Sequence, residues 1–115
     1  MSGDERLRVL RATKEFSGFN DARLRSLLPY VDELCVGAGV ELASEGRLCH
    51  QFVVVASGSL ETCSRGRAGI LGRGDTFGWP AMRDRGLNEA SIRTVAPSHL
   101  LVMSHQQFRA ADGLS

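Results

Sequence analysis

Residues 31–104 contain about seven or eight short runs of strand-forming residues, and turn residues separate one run from the next. The strongest run covers residues 51–56, where β-branched and apolar side chains occupy both faces of the predicted strand. Ser57 and Gly58 follow it, and this turn predicts a hairpin into residues 59–63. Short strands at regular spacing are typical of a closed barrel or of two packed β-sheets.

Longer helical patterns occur at the two ends of the chain. Residues 5–29 carry two of them, separated by a break in which Phe16 and Phe19 are predicted to anchor on the core. Either Asn20 or Asp21 is expected to cap the second helix, and the proline after its leucine-rich face ends it. The predicted fold class is therefore mainly β, with helices packed on a β core.

A short terminal helix is predicted over residues 104–111. Ser104 and Gln107 have the spacing of a capping box, in which each side chain bonds the other residue's backbone N–H. Phe108 follows on the face predicted to turn inward, and the residues beyond 111 are expected to fray. This helix closes the predicted domain.

The composition is that of an ordinary single domain. A chain of 115 residues supports one hydrophobic core, and no segment has the ~18 uninterrupted apolar residues of a membrane helix. The charged N-terminus has no apolar signal core, so we expect a cytoplasmic protein. Because the net charge is only +1, neither nucleic acid nor a membrane is an expected partner.

The three cysteines, Cys35, Cys49 and Cys63, form no CxxC pair and are odd in number. Free thiols fit this pattern better than a disulfide framework. Each cysteine is expected to be a small buried apolar residue, and no further ligands stand at a spacing that would make a metal site with them.

The stretch 70–91 combines glycine turns with a short predicted helix. A strand ends in the turn 72–75, and residues 76–78 then lead into a one-turn helix over residues 79–82. The first backbone N–H groups of a helix have no partner within the helix and attract anions. The pattern therefore predicts an anion-binding loop.

Glycines and strands recur in a characteristic order from residue 39 to residue 93. The positions that carry this order are Gly39, Glu45, Gly46, Phe52, Val53, Val54, Val55, Gly58, Ser59, Leu60, residues 71–78, Ser91, Ile92 and Arg93. The order closely resembles that of the cyclic nucleotide-binding domain, over roughly residues 14–111. The resemblance implies an eight-stranded jelly-roll-like β-roll: one domain over residues 1–115, with N-terminal helices over 5–29, the roll over 31–104 and a terminal helix.

The resemblance also implies a ligand site, the phosphate-binding cassette, over residues 77–91. Its candidate residues are Phe77, Gly78, Trp79, Pro80, Ala81, Met82, Asn88, Glu89, Ala90 and Ser91. In members that bind cAMP or cGMP, backbone amides hold the phosphate, a glutamate holds the ribose 2′-hydroxyl and an arginine pairs with the phosphate. Here Trp79 stands at the glutamate position, Asn88 at the arginine position and Glu89 at the small residue after it. The resemblance thus implies a backbone scaffold without its two charged ligand contacts.

Each lost charged contact costs about 1.5–3 kcal/mol, so the two together lower affinity by about 10²- to 10⁴-fold. The carboxylate of Glu89 adds repulsion, and Trp79 as a core or interface residue would block the pocket. We therefore expect a regulatory module in which binding of cAMP or cGMP is weakened or lost. Such a module acts through contacts with a protein partner or effector domain, and it uses no cofactor.

Two other interpretations remain open. In the first, the chain is a true sensor of a cyclic nucleotide or another small ligand, with Arg83, Arg85 or Arg93 as the phosphate partner and Trp79 stacked on a planar group. In the second, it is a small β-barrel enzyme. The sequence has no His-x-His pair and no recognisable Ser/His/Asp spacing, so we expect neither a metal nor catalysis.

Overall fold

The computed structural model describes residues 1–112 of the 115-residue chain. The helices are α1 (Gly3–Arg11), α2 (Asp21–Leu27), α3 (Trp79–Asp84) and α4 (His105–Asp112), and a 3₁₀ turn covers Leu28–Tyr30. The strands are β1 (Asp32–Val36), β2 (Glu41–Ala43), β3 (Gln51–Ser57), β4 (Leu60–Ser64), β5 (Arg67–Leu71), β6 (Thr76–Phe77), β7 (Ser91–Thr94) and β8 (Ser98–Ser104). The predicted mainly β class is confirmed. The expected fraying beyond residue 112 lies outside the described residues.

The strands form two antiparallel four-stranded sheets. The first sheet has the order β1-β8-β3-β6 and the second has the order β2-β7-β4-β5. In the middle of the first sheet, Val53 of β3 lies opposite Val102 of β8. Both central strands therefore have neighbours on each side, and the roll is built around them.

Strand β3 is buried on both faces, as its sequence predicts. Phe52 and Val54 belong to the apolar cluster beneath the helices, whereas Val53 and Val55 belong to the cluster between the two sheets. Successive side chains of a strand point to opposite faces, so one strand serves both clusters. This is why its sequence is apolar throughout rather than alternating.

The predicted hairpin after β3 is wrong. Strands β3 and β4 lie in different sheets, so the turn carries the chain from one sheet across to the other. Gly58 has a φ of +108°, and a Cβ there would overlap Ser98 at the start of β8. A tight turn signal alone does not say whether the next strand pairs with the previous one. The hairpin is instead β4–β5, where Arg65 and Gly66 both have positive φ.

The helix ends follow local capping rules. Asn20, rather than Asp21, caps α2 by accepting a hydrogen bond from the backbone N–H of Arg23 at 2.9 Å. The predicted capping box of α4 is confirmed: Ser104 N–H donates to the Gln107 side chain at 2.8 Å, and Gln107 N–H donates to Ser104 Oγ at 3.3 Å. Phe108 is buried, as predicted. In residues 1–112, no helix is both long enough and apolar enough to span a bilayer.

The three cysteines differ in environment. Cys49 is buried, and burial raises the pKa of its thiol, which keeps the thiol neutral. Cys35 and Cys63 are exposed, so the expectation of three buried cysteines is wrong for these two. Both lie in strands with one face toward solvent, where an apolar residue type does not guarantee an inward side chain.

Candidate ligand-binding site

The loop between β6 and α3 is held by a glycine. Gly78 adopts a φ of +97° immediately before α3. A Cβ at this position would lie 2.6 Å from the backbone oxygen of Gln51, so the loop packs directly on β3. The helix that follows has six residues, and Pro80 in its first turn has no N–H to offer a ligand. The glycine turn and the short helix predicted after it are therefore both present, and the helix extends to Asp84 rather than ending at residue 82.

A cavity of about 540 Å³ lies beside this loop. Eight of the ten candidate cassette residues line it: Phe77, Gly78, Trp79, Pro80, Ala81, Asn88, Glu89 and Ala90. Met82 is fully buried beneath it, and Ser91 accepts a hydrogen bond from the backbone N–H of Glu45 at 2.9 Å. The volume lies within the range that small-molecule pockets occupy.

None of the three arginines proposed as substitute phosphate partners lines the cavity. Arg83 is exposed and borders a separate groove of about 310 Å³. Arg85 is also exposed, and it caps the C-terminus of α3 with a left-handed backbone conformation. Arg93 is exposed on β7, in register with Glu41 and Glu61 on the outer face of the second sheet. Ile92 turns inward to the cavity, so the side chain of its neighbour points outward.

Asn88, at the arginine position of the cassette, is engaged within the protein. Its side-chain amide donates to the backbone oxygen of Ser44 at 3.0 Å. Its backbone N–H donates to Arg47 O at 2.7 Å, and its backbone oxygen accepts from Gly46 N–H at 3.0 Å. Asn88 therefore fastens the cassette to the turn after β2.

Trp79, at the glutamate position, packs into an aromatic cluster. Its ring contacts Phe16, Phe52 and Phe108 edge-to-face, with centroid separations of 5.5, 5.1 and 5.0 Å. Such pairs stabilise a fold by more than the burial of their apolar surface alone would. Trp79 also lines the cavity, which stays open beside it, so the expected blockage of the pocket does not occur.

Replacing Trp79 with alanine is expected to lower the free energy of unfolding by about 2–3 kcal/mol. This is below the range for a fully buried aromatic residue because Trp79 is only partly buried. Urea denaturation followed by circular dichroism measures the change, since the variant has no tryptophan emission. Ile70→Ala is the control: Ile70 is 64% exposed, so its loss should change stability by no more than about 0.5 kcal/mol. Equal losses in the two variants would contradict the structural role of Trp79.

Sequence reasoning missed six residues that line the cavity, and the two charged ones among them are Lys14 and Glu15. Both lie in the segment between α1 and α2 and line the cavity wall. The hydroxyl of Thr76 donates to Glu15 Oε1 at 2.6 Å, which ties this segment to β6 across 61 positions of sequence. The only signal available beforehand was that Lys14 is the single lysine of the chain.

The charged side chains that line the cavity are Lys14, Glu15 and Glu89, which sum to a formal charge of −1. The other lining groups are neutral, and apolar side chains are the majority among them. Within residues 1–112, no group of three or more His, Cys, Asp or Glu side chains converges to hold a metal ion. The cavity therefore has no guanidinium to pair with a phosphate.

Many solved structures share this fold, and three of them are described below. The regulatory domain of Toxoplasma gondii PKA with cAMP matches with a TM-score of 0.84 and 23% identity, over 95% of this chain and 44% of that one. A cyclic nucleotide-binding-like protein from Brucella abortus matches with a TM-score of 0.80 and 20% identity, over 96% of this chain and 99% of that one. Thermus thermophilus catabolite activator protein matches with a TM-score of 0.73 and 24% identity, over 84% of this chain and 48% of that one. The chain thus spans less than half of the first and third of these proteins.

No curated protein sequence matches this chain significantly. The sequence model of the cyclic nucleotide-binding domain, however, matches residues 34–111, which is more than half of the 115 residues. The match covers strands β2 to β8, the last three residues of β1 and the cassette. The chain belongs to the cyclic nucleotide-binding domain family.

Proposed function

We propose that this chain is a non-enzymatic regulatory module whose cavity does not bind cAMP or cGMP at useful affinity, and which acts through contacts with another protein. The observation that carries the proposal is the charge of the cavity. Two carboxylates and one ammonium line it, and none of the arginines among residues 1–112 does. A cyclic nucleotide carries a negative phosphate, so the cavity disfavours it.

The affinity lost with the arginine and glutamate contacts is large enough to decide whether a cyclic nucleotide binds. An arginine–phosphate pair is a charge-assisted and often bidentate contact, and the ribose contact is a second charged hydrogen bond. Together they contribute about 3–6 kcal/mol, or about 10²- to 10⁴-fold in affinity. A dissociation constant of about 1 μM would therefore move to about 0.1–10 mM.

Action through protein contacts is supported by an apolar surface beside the cassette. Leu48 and Leu87 are 46% and 58% exposed, and they face each other as an isolated antiparallel bridge. Leu87 directly precedes Asn88, so this surface adjoins the cavity wall. The family consists of regulatory domains, and neighbouring exposed apolar residues are typical of contact surfaces.

A second candidate function is that of a small-ligand sensor with an unusual cassette. The open cavity of about 540 Å³ favours it, as does Lys14, a cation that the family's cassette motif does not specify. Under this alternative, cAMP or another anion binds in the cavity and pairs with the lysine.

Thermal melting with cAMP and cGMP separates the two candidates. We expect no shift at millimolar nucleotide, and no change in the emission of Trp79, which lines the cavity. A ligand at 100 times its dissociation constant would stabilise the protein by about 2.7 kcal/mol, a shift of roughly 10 °C at this size. The Toxoplasma gondii PKA regulatory domain is a positive control, since its structure contains cAMP. A saturable shift of that order would rule out the proposal.

A further inference from the structure

The groove that Arg83 borders is lined by residues of three helices and is named the helical groove below. It has a volume of about 310 Å³, and its walls come from the segment between α1 and α2, from α2, α3 and α4, and from the end of β8. Its apolar lining residues are Phe16, Phe19, Leu27, Trp79, Met103, Phe108 and Ala111. Aromatic side chains in a concave surface provide a large contact area for apolar side chains of a partner.

The helical groove has more positive than negative charge. Its charged lining residues are Arg23 on α2, Arg83 in the last turn of α3, and Glu15. Glu15 has one oxygen bonded by the hydroxyl of Thr76 and the other shielded from solvent, so neither oxygen faces a partner. Among residues 1–112, no carboxylate lies within 4.0 Å of the guanidinium of Arg23 or Arg83. The groove therefore offers two cations that have no ion-pair partner in the described part of the chain.

Arg23 is positioned to contact an anion. Its guanidinium carbon lies 3.8 Å from the centroid of the Phe19 ring, so the group stacks on an aromatic wall of the helical groove. Stacking covers the flat face of a guanidinium and leaves the N–H groups at its edge free to bond a carboxylate. Arg23 is half-buried, and none of its nitrogens is both shielded from solvent and unbonded. A partner can therefore reach these donors.

We propose that the helical groove is the docking site for a protein partner that presents an amphipathic acidic peptide segment. The apolar side chains of this segment fill the groove, and its carboxylates pair with Arg23 and Arg83. The inference rests on the proposed function, because it gives a place and a chemistry to the protein contact through which the module acts. The two arginines lie on different helices, so an occupant that pairs with both has acidic groups at two places along an apolar surface. A peptide segment has this chemistry, and a ligand with a single carboxylate does not.

A phage-displayed library of short random peptides tests the groove. Selection on the unmodified chain should enrich peptides that combine Asp or Glu with Leu, Phe or Trp. Synthetic versions of these peptides should bind saturably and change the emission of Trp79, which lines the groove. Failure to enrich any peptide, or enrichment of peptides without acidic residues, would overturn the proposal.

Substitutions of single arginines locate the contact. Arg23→Gln should weaken the selected peptides by about 10- to 100-fold, because it removes a charge-assisted hydrogen bond. Arg83→Gln, at an exposed position, should weaken them as well. Arg25→Gln is the matched control: Arg25 lies on the same helix as Arg23, pairs with Asp4 at 3.7 Å and does not line the groove. Thermal melting followed by circular dichroism establishes that each variant is folded. Equal weakening by all three substitutions would show that the peptides respond only to overall charge and would overturn the proposal.

Further measurements identify a different occupant or a different surface. Peptides that lose affinity with Leu87→Ser but not with Arg23→Gln bind the exposed leucine pair, which overturns the groove and leaves the proposed function intact. Binding of dodecanoate that depends on Arg23 and is tighter than that of the selected peptides would show that the groove holds a small amphiphile, against the proposal. Binding of cAMP contradicts the proposed function, whatever the peptides do. Peptide binding that depends on both Arg23 and Arg83, with none of cAMP, supports both claims.

Discussion

A variant that carries both Asn88→Arg and Glu89→Ala is expected to bind cAMP about 10²-fold more tightly than the unmodified chain. The first substitution returns the phosphate partner at the family's arginine position, and the second removes a carboxylate from the cavity rim. One charged, bidentate contact accounts for a factor of this size. Fluorescence titration of Trp79 measures it. The lost hydrogen bond to Ser44 should cost only about 1 kcal/mol of stability, so the variant should fold.

A lysine at the same position is the matched control. Asn88→Lys together with Glu89→Ala has the same charge but lacks the planar fork that pairs with a phosphate, so it should recover less of the affinity. A folded arginine variant with unchanged affinity would show that something other than the missing charge prevents binding. The aromatic packing of Trp79 at the glutamate position would then be the next feature to alter.

Replacing Gly78 with alanine is expected to destabilise the protein by roughly 2–6 kcal/mol. A positive φ is strained for alanine, and the new Cβ would lie 2.6 Å from Gln51 O, so strain and overlap each contribute about 1–3 kcal/mol. Urea denaturation followed by Trp79 emission measures the change.

Gly72→Ala serves as the control for this substitution. Gly72 has open space around it and no positive φ, so its replacement should change stability by no more than about 0.5 kcal/mol. Indistinguishable denaturation midpoints for the two variants would contradict the packing of the cassette loop on β3.

The fold was largely predictable because its signals are local. The apolar run of β3 and the capping box at Ser104 each depend on residues close in sequence. The arrangement of the strands as a β-roll came from the family resemblance, which the order of glycines from residue 39 to residue 93 carries. The hairpin after β3 was mispredicted because the sheet that the next strand joins depends on which residues the turn packs against. For Gly58 that contact is Ser98, 40 positions later in the sequence, and no local pattern reports it.

The cavity was predictable where one continuous stretch forms it and not elsewhere. Residues 77–90 contribute most of the cassette wall. Glu15 reaches the cavity only through the fold, 61 positions from its partner Thr76, so spacing could not reveal it. The outward side chain of Arg93 was foreseeable, because its neighbour Ile92 is the apolar member of an alternating strand. The exposure of Arg83 and Arg85 depends on how α3 ends, which the sequence does not specify.

The cavity has no arginine, and Lys14, Glu15 and Glu89 give it a net formal charge of −1. That such a cavity does not bind a negatively charged ligand is the central claim. Titration calorimetry of the unmodified chain with cAMP at low ionic strength, where weak charge attraction is least screened, tests it most directly. We expect no saturable heat up to millimolar cAMP. A dissociation constant in the micromolar range, with one molecule of cAMP per chain, would contradict the account.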